Sequence, residues 1–187
     1  EFSGEAGLKY FILGAFSSGL LLFGSSMLYG FTGMTNFEDI AKLILGIGAT
    51  ADTLSYGIFI GILFISIALL FKVAAAPFHM WSPDVYEGSP TPITAFFSSV
   101  PKIALLGLYV RLFFYTFYDF IPLWQELFLI CAIISMIWGS IAALSQKRIK
   151  RLMAYSGIVN IGYMLVGVAS GTISSIVGLL VYLVIYV

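Results

Sequence analysis

This 187-residue sequence is poor in the residues that redox sites, disulfides and water-facing surfaces use. It contains one cysteine, Cys131, and one histidine, His79. A lone thiol in an apolar run has no disulfide partner, and a lone imidazole cannot make a metal site, so no metal is expected. Charge is scarce as well: nine Lys and Arg balance nine Asp and Glu, and 10% of the residues are charged, against about 25% in a soluble domain. The zero net charge offers no basic face to phosphates and excludes a nucleic-acid partner. No phosphate loop, dinucleotide fingerprint, haem ligand or iron–sulfur ligand set occurs. An initiator methionine, a basic n-region and a small-residue cleavage site are all missing, so Glu1 does not open a signal peptide. With Val187 inside an apolar run, the expectation is an internal piece of a longer protein.

What the sequence does have is apolar length. Hydrophobic residues make up 60% and aromatic residues 17%, with a mean hydropathy of +1.04. A hydrocarbon core about 30 Å thick takes roughly 20 apolar residues per helix, and six candidate spans meet that measure. They run over about Tyr10–Tyr29, Tyr56–Lys72 with a continuation, Ile93–Phe117, Leu123–Leu144, Leu152–Ala169, and from Ile173 onward, the last truncated. The runs are continuous and do not alternate, which excludes a barrel. The expected fold class is all-α: a polytopic transmembrane helical bundle, with 1–187 forming one membrane domain in contact with lipid.

Orientation follows from the basic residues. Lys147-Arg148-Ile149-Lys150-Arg151 places four cations in one short loop, and such clusters stay on the inside face. The loop between the first two spans, with Glu38, Asp39 and Asp52 against Lys42, then lies outside.

Two lysines depart from this pattern. Lys72 follows Ile67-Ala68-Leu69-Leu70-Phe71, and Lys102 follows Phe97-Ser98-Ser99-Val100-Pro101. An ammonium near the bilayer centre costs about 2.5 kcal/mol or more, so such a residue faces the bundle interior and belongs to an ion or proton path. After Lys72 comes Ala76-Pro77-Phe78-His79-Met80-Trp81-Ser82-Pro83-Asp84-Val85-Tyr86, still largely apolar. Proline removes a backbone donor and disfavours helix before it, so Pro77 is the expected break in an element running from Tyr56 to Tyr86, with Lys72 at its middle. Interrupted helices at membrane depth line protein or water, where transporters place ion sites. Pro101 beside Lys102 repeats the pattern. A buried lysine holds or releases a proton according to nearby charge, which is relay chemistry. His79 lies two helical turns after Lys72, on the same face if the break keeps register, and either exchanges protons or caps carbonyls freed by Pro77.

The remaining charges read more simply. Glu5 and Lys9 form an i,i+4 pair, Arg111 snorkels to the outer interface or stays inside the span, and Asp84 and Glu87 are turn and helix-end residues. Phe113-Phe114-Tyr115-Thr116-Phe117-Tyr118 reads as an interfacial aromatic belt.

The run from Phe71-Lys72 through Ala76-Pro77-Phe78-His79-Met80-Trp81-Ser82-Pro83-Asp84-Val85-Tyr86-Glu87-Gly88-Ser89-Pro90-Thr91-Pro92 closely resembles the signature of the subunit 2/subunit N type of membrane subunit of respiratory complex I, the NADH:quinone oxidoreductase. Pro101-Lys102-Ile103-Ala104, Ala143-Leu144-Ser145-Gln146, Ile149 to Ser156 and Gly162-Tyr163 extend the likeness over the chain. The resemblance implies an antiporter-like fold of two inverted five-helix repeats, each with a broken helix. This chain would span the sixth to part of the eleventh helix. It implies a proton relay through Lys72, Lys102 and His79, with Glu5 and Lys9 as the charged pair before the sixth helix. The glutamate partner of Lys72 would precede Glu1 and a second lysine-bearing broken helix would follow Val187. Asn160 stands where many relatives have a histidine.

The resemblance also implies partners and setting. The partners would be other complex I membrane subunits. The chain itself would carry no redox centre and no cofactor, FMN, iron–sulfur clusters and quinone belonging to partner subunits. The spans look similar to mitochondrially encoded forms, which suggests the mitochondrial inner membrane, with a bacterial plasma membrane as the alternative. Other readings are a subunit of a multi-subunit cation/proton antiporter or membrane-bound hydrogenase, and a structural scaffold whose lysines only pair with acids.

Overall fold

A computed structural model of the chain describes residues 2–47 and 53–187, and all regular structure in them is helical. Helix α1 (Phe2–Thr32) is followed by α2 (Phe37–Ile47), α3 (Thr53–Val73), α4 (Trp81–Gly88) and α5 (Thr91–Arg111). A π-turn (Leu112–Thr116) and a 3₁₀ turn (Tyr118–Phe120) lead to α6 (Ile121–Leu144), α7 (Ile149–Ala169) and α8 (Ile173–Tyr186). Five segments are long and apolar enough to cross a membrane, while α8 is a shorter apolar helix. The all-α, multi-pass reading holds.

The helices pack as a bundle with α3 near its centre. Along α3, Ile58, Ile62, Ala68, Leu69 and Leu70 are buried, whereas α1 and α8 turn large apolar side chains such as Phe11 and Ile185 outward. A helix that is apolar all round faces lipid or another helix on each side, and α1 does both. Its Gly24 meets α3 so closely that a Cβ there would lie 2.9 Å from the Gly61 carbonyl oxygen and from the Ile65 nitrogen. Small residues let membrane helices approach backbone to backbone, which is how α1 and α3 are held.

Several expectations change. The segment read as the outer loop contains α2, which turns Ile40 and Ile44 into the core and leaves Lys42 and Asp39 outside, 3.9 Å apart. An eleven-residue amphipathic helix is too short for a span-length search to find. Asp52 lies outside the described residues. The interrupted element is real, but its helix ends at Val73, before Pro77: Ala74 takes a positive φ of 62°, a conformation that no helix interior accommodates. By contrast α5 runs through Pro101 without breaking. The aromatic run after Arg111 is only partly a belt: Tyr115 and Tyr118 are exposed, but Phe113 and Phe117 are buried. Phe113 packs edge-on to Phe128 with ring centroids 4.7 Å apart and against Trp124 at 5.4 Å, an arrangement favoured by the ring quadrupoles.

Irregular backbone inside such a bundle frees polar groups that lipid cannot satisfy. Side chains from other elements take them up. The Trp81 Nε1–H donates to the Phe71 carbonyl at 3.0 Å, and the Ala76 amide donates to Ser135 Oγ at 2.8 Å. Pro101 has no N–H for the Phe97 carbonyl, and the Tyr86 hydroxyl donates there instead at 3.2 Å. Beyond the π-turn, the Trp124 indole donates to the Phe117 carbonyl at 2.9 Å.

Candidate functional site: two lysines on one cavity

Lys72 is the penultimate residue of α3 and half-buried. The free carbonyls at a helix C-terminus carry partial negative charge, and Lys72 stands beside them. Lys102 sits in the middle of α5 and is only 5% exposed. Both line one cavity of about 330 Å³ bounded by α1, α3, α4 and α5, together with Tyr10, Ser17, Trp81 and Tyr86. At about 30 Å³ per water in the liquid, this space has room for a cluster of waters. Ser17 Oγ donates to the Ala68 carbonyl at 3.2 Å, fixing α1 against α3 along the cavity wall.

Among the described residues neither lysine forms a salt bridge. The Lys102 ammonium instead donates to the Tyr186 hydroxyl of α8 at 2.6 Å and lies 4.9 Å from that ring's centroid. Gly157 of α7 provides the room: a Cβ there would stand 2.8 Å from Lys102 Nζ. Two ammonium groups on one largely apolar cavity interact through it, so a charge change at one alters the proton affinity of the other.

His79 is not brought to this cavity. The break turns the chain out of helical register, and its ring faces Trp138 of α6 with centroids 6.4 Å apart, beside the Pro77 backbone. The same-face expectation assumed a register that the positive φ at Ala74 destroys.

Glu5 and Lys9 join a larger array than the pair expected. Lys9 Nζ lies 2.6 Å from Glu5 and 2.6 Å from Asp84 of α4. Arg151 of α7 reaches Asp84 at 3.4 Å and Glu87 at 3.3 Å, and Arg148 also pairs with Glu87. Lys150 donates to the Ser89 carbonyl at 2.7 Å. Asp84 and Glu87 are thus the centre of an ion network: Asp84 lies in the first turn of α4 and not in a loop turn, Glu87 stands at the helix end as expected, and their basic counterparts are Arg148 just before α7 and Arg151 in its first turn. On the opposite face Arg111 is exposed and its guanidinium lies 5.7 Å from the Phe37 ring of α2. Asn160 accepts a hydrogen bond from Tyr182 at 2.6 Å and donates to the Ser156 carbonyl at 2.9 Å.

Tyr186, Gly157 and the bridging role of Asp84 were not read from sequence. Tyr186 and Gly157 carry no charge and stand far along the chain from Lys102. Asp84 carried a signal: an acid within an apolar stretch needs a cation, and Lys9 was available.

Residues 1–187 match the family described as NADH:quinone oxidoreductase/Mrp antiporter, TM. The chain belongs to this family. The antiporter family members most informative here include NADH-ubiquinone oxidoreductase chain 2 of Marchantia polymorpha, 60% identical over 100% of the chain and 38% of the relative's length. NADH-quinone oxidoreductase subunit N of Rhodospirillum rubrum is 52% identical over 98% of the chain and 37% of its own length. The chain therefore spans well under half of the curated relatives it matches. The resemblance read from Lys72 to Pro92 extends over its whole length. Among solved structures, a chain of respiratory complex I from Thermus thermophilus is 34% identical with a TM-score of 0.70, covering 97% of this chain and 38% of that one. A chain of the Mrp complex from Dietzia sp. DQ12-45-1b has a TM-score of 0.82 at 23% identity, over 97% of this chain and 33% of that one, a likeness of fold alone.

Proposed function

We propose that this chain is part of a proton-translocating membrane subunit of an NADH:quinone oxidoreductase, in which Lys72 and Lys102 pass protons through the cavity they share. The supporting observation is the placing of two lysines, without carboxylate partners among the described residues, on a single 330 Å³ cavity among membrane-spanning helices. Adding or removing an opposite charge near Lys72 changes its proton affinity and drives a proton toward Lys102 through cavity water. The redox groups, FMN, iron–sulfur clusters and quinone, belong to other subunits of the assembly, which are the chain's partners. Relatives named for ubiquinone favour the mitochondrial inner membrane, and bacterial relatives make a plasma membrane the alternative.

A second reading, a subunit of a multi-subunit cation/proton antiporter, draws on the fold likeness to the Mrp complex. Sequence identity favours the oxidoreductase. The experiment is Lys102→Met in the complete subunit within its complex: proton pumping coupled to NADH oxidation falls while NADH:quinone reduction in uncoupled membranes persists. Wild-type pumping in that variant overturns the reading.

A further inference from the structure

A second cavity, of about 480 Å³, lies on the other side of Lys102. It is bounded by α5, α7 and α8, with Ser98, Ser99, Ser156, Gly157 and Tyr186 on its wall, and reaches Lys150 in the first turn of α7. Lys102 lines the first cavity and Tyr186 the second. The 2.6 Å hydrogen bond between Lys102 Nζ and Tyr186 Oη therefore crosses the partition between them. Beyond it, the same hydroxyl donates to the Ser98 carbonyl at 3.4 Å, a long contact that leaves its proton free to turn toward water. A Cβ at Gly157 would come within 2.8 Å of Nζ and 3.4 Å of Oη, so both polar groups meet over bare backbone.

We propose that Tyr186 is a proton-relay residue, carrying protons between Lys102 and the second cavity; this rests on the translocating function proposed above. In the step, an Nζ–H bond of the Lys102 ammonium breaks and an Oη–H bond forms, while the original phenolic proton passes to a water molecule in the second cavity. Lys102 is left neutral and Tyr186 is again a phenol. No electron changes hands. Reprotonation of Lys102 from the first cavity resets the pair. A cavity of this size holds several waters, and its Ser98, Ser99 and Ser156 give them polar partners.

The test uses the complete subunit in its complex, reconstituted in vesicles, with pumping measured per NADH oxidised. Tyr186→Phe keeps the ring beside Lys102 and removes the hydroxyl. Pumping falls about tenfold or more, as expected for loss of a positioned proton carrier, and Tyr186→His, whose ring can pass a proton, recovers it. A residue that only packed against Lys102 would give wild-type pumping as phenylalanine, and any loss caused by disturbed packing would not be recovered by histidine. Lys102→Met is run in parallel. If it abolishes pumping while Tyr186→Phe pumps normally, the relay is overturned and the translocating function stands; if both pump normally, both fall. Should the phenylalanine variant fail to assemble, Tyr186→Gln, which still accepts from the ammonium but has no hydroxyl, is read in the same two ways.

Discussion

Gly157 lies directly beneath the Lys102 ammonium, at a distance that leaves no room for a methyl group: its Cβ would be 2.8 Å from Nζ. Gly157→Ala displaces the lysine from its hydroxyl partner, and Gly157→Val displaces it further. Both reduce coupled pumping in that order while NADH:quinone reduction in uncoupled membranes is retained. The crowded atoms are the ends of the Lys102 and Tyr186 side chains, not backbone, so thermal stability of the assembled Gly157→Ala subunit stays near wild type while pumping falls. Pumping by an assembled Gly157→Val complex at the wild-type level would show that the Lys102 position does not matter.

The ion network yields a charge-swap experiment. Asp84 is shared by Lys9 and Arg151, and its carboxylate ties α4 to both α1 and α7. Asp84→Asn weakens both links, and solvent screening keeps the effect small. Lys9→Glu puts a like charge opposite Asp84 and lowers the amount of assembled subunit. Lys9→Glu combined with Asp84→Lys restores part of it, and a double-mutant cycle on melting temperature reads the coupling. Additive effects would mean the contact contributes nothing.

The break between α3 and α4 is pinned by Ser135, which accepts from the Ala76 amide at 2.8 Å and donates to the Cys131 carbonyl at 2.6 Å. Ser135→Ala strands a buried N–H, at a cost of about 1–3 kcal/mol. Ser140 on the same helix is exposed and bonds only its own turn. Ser140→Ala therefore leaves the melting temperature of the assembled subunit near wild type while Ser135→Ala lowers it. Equal melting temperatures would remove Ser135 from the account.

Helix α1 supplies a comparison within a single span. A Cβ on Gly24 meets α3 backbone at 2.9 Å, whereas a Cβ on Gly19 meets nothing within 4 Å. Gly24→Val separates the helices and depletes the assembled subunit; Gly19→Val is tolerated. Immunoblots of native gels distinguish the two, and equal depletion would refute the close α1–α3 contact.

What could be read from sequence follows a physical division. Span length and hydropathy placed the long helices because the bilayer imposes one thickness on all of them. The cost of a buried charge singled out Lys72 and Lys102 before any geometry was known. Pro77 marked the interruption, although the helix ends four residues earlier, at Val73, because the turn is set by Ala74 and by packing against α6. Pro101 carried a similar signal and produced no break. The Tyr86 hydroxyl takes the Phe97 carbonyl that the proline cannot serve, a compensation visible only in three dimensions. His79 does not line the cavity with Lys72, because spacing sets a shared face only within one continuous helix. The Lys102–Tyr186 contact joins residues 84 positions apart, and no local pattern encodes it.

The side-chain caps on irregular backbone also impose an order in time. The Ala76 amide finds its acceptor 59 residues later, in α6, and the Ser98 carbonyl receives the Tyr186 hydroxyl 88 residues later, in α8. A chain threaded into a bilayer from its N-terminal side therefore carries the α3–α4 interruption with an unanswered donor until α6 enters. The interruption cannot rest against lipid during that interval. It waits at the water interface or in the insertion machinery, so α3 and α4 settle in the membrane together with α6 rather than one after another.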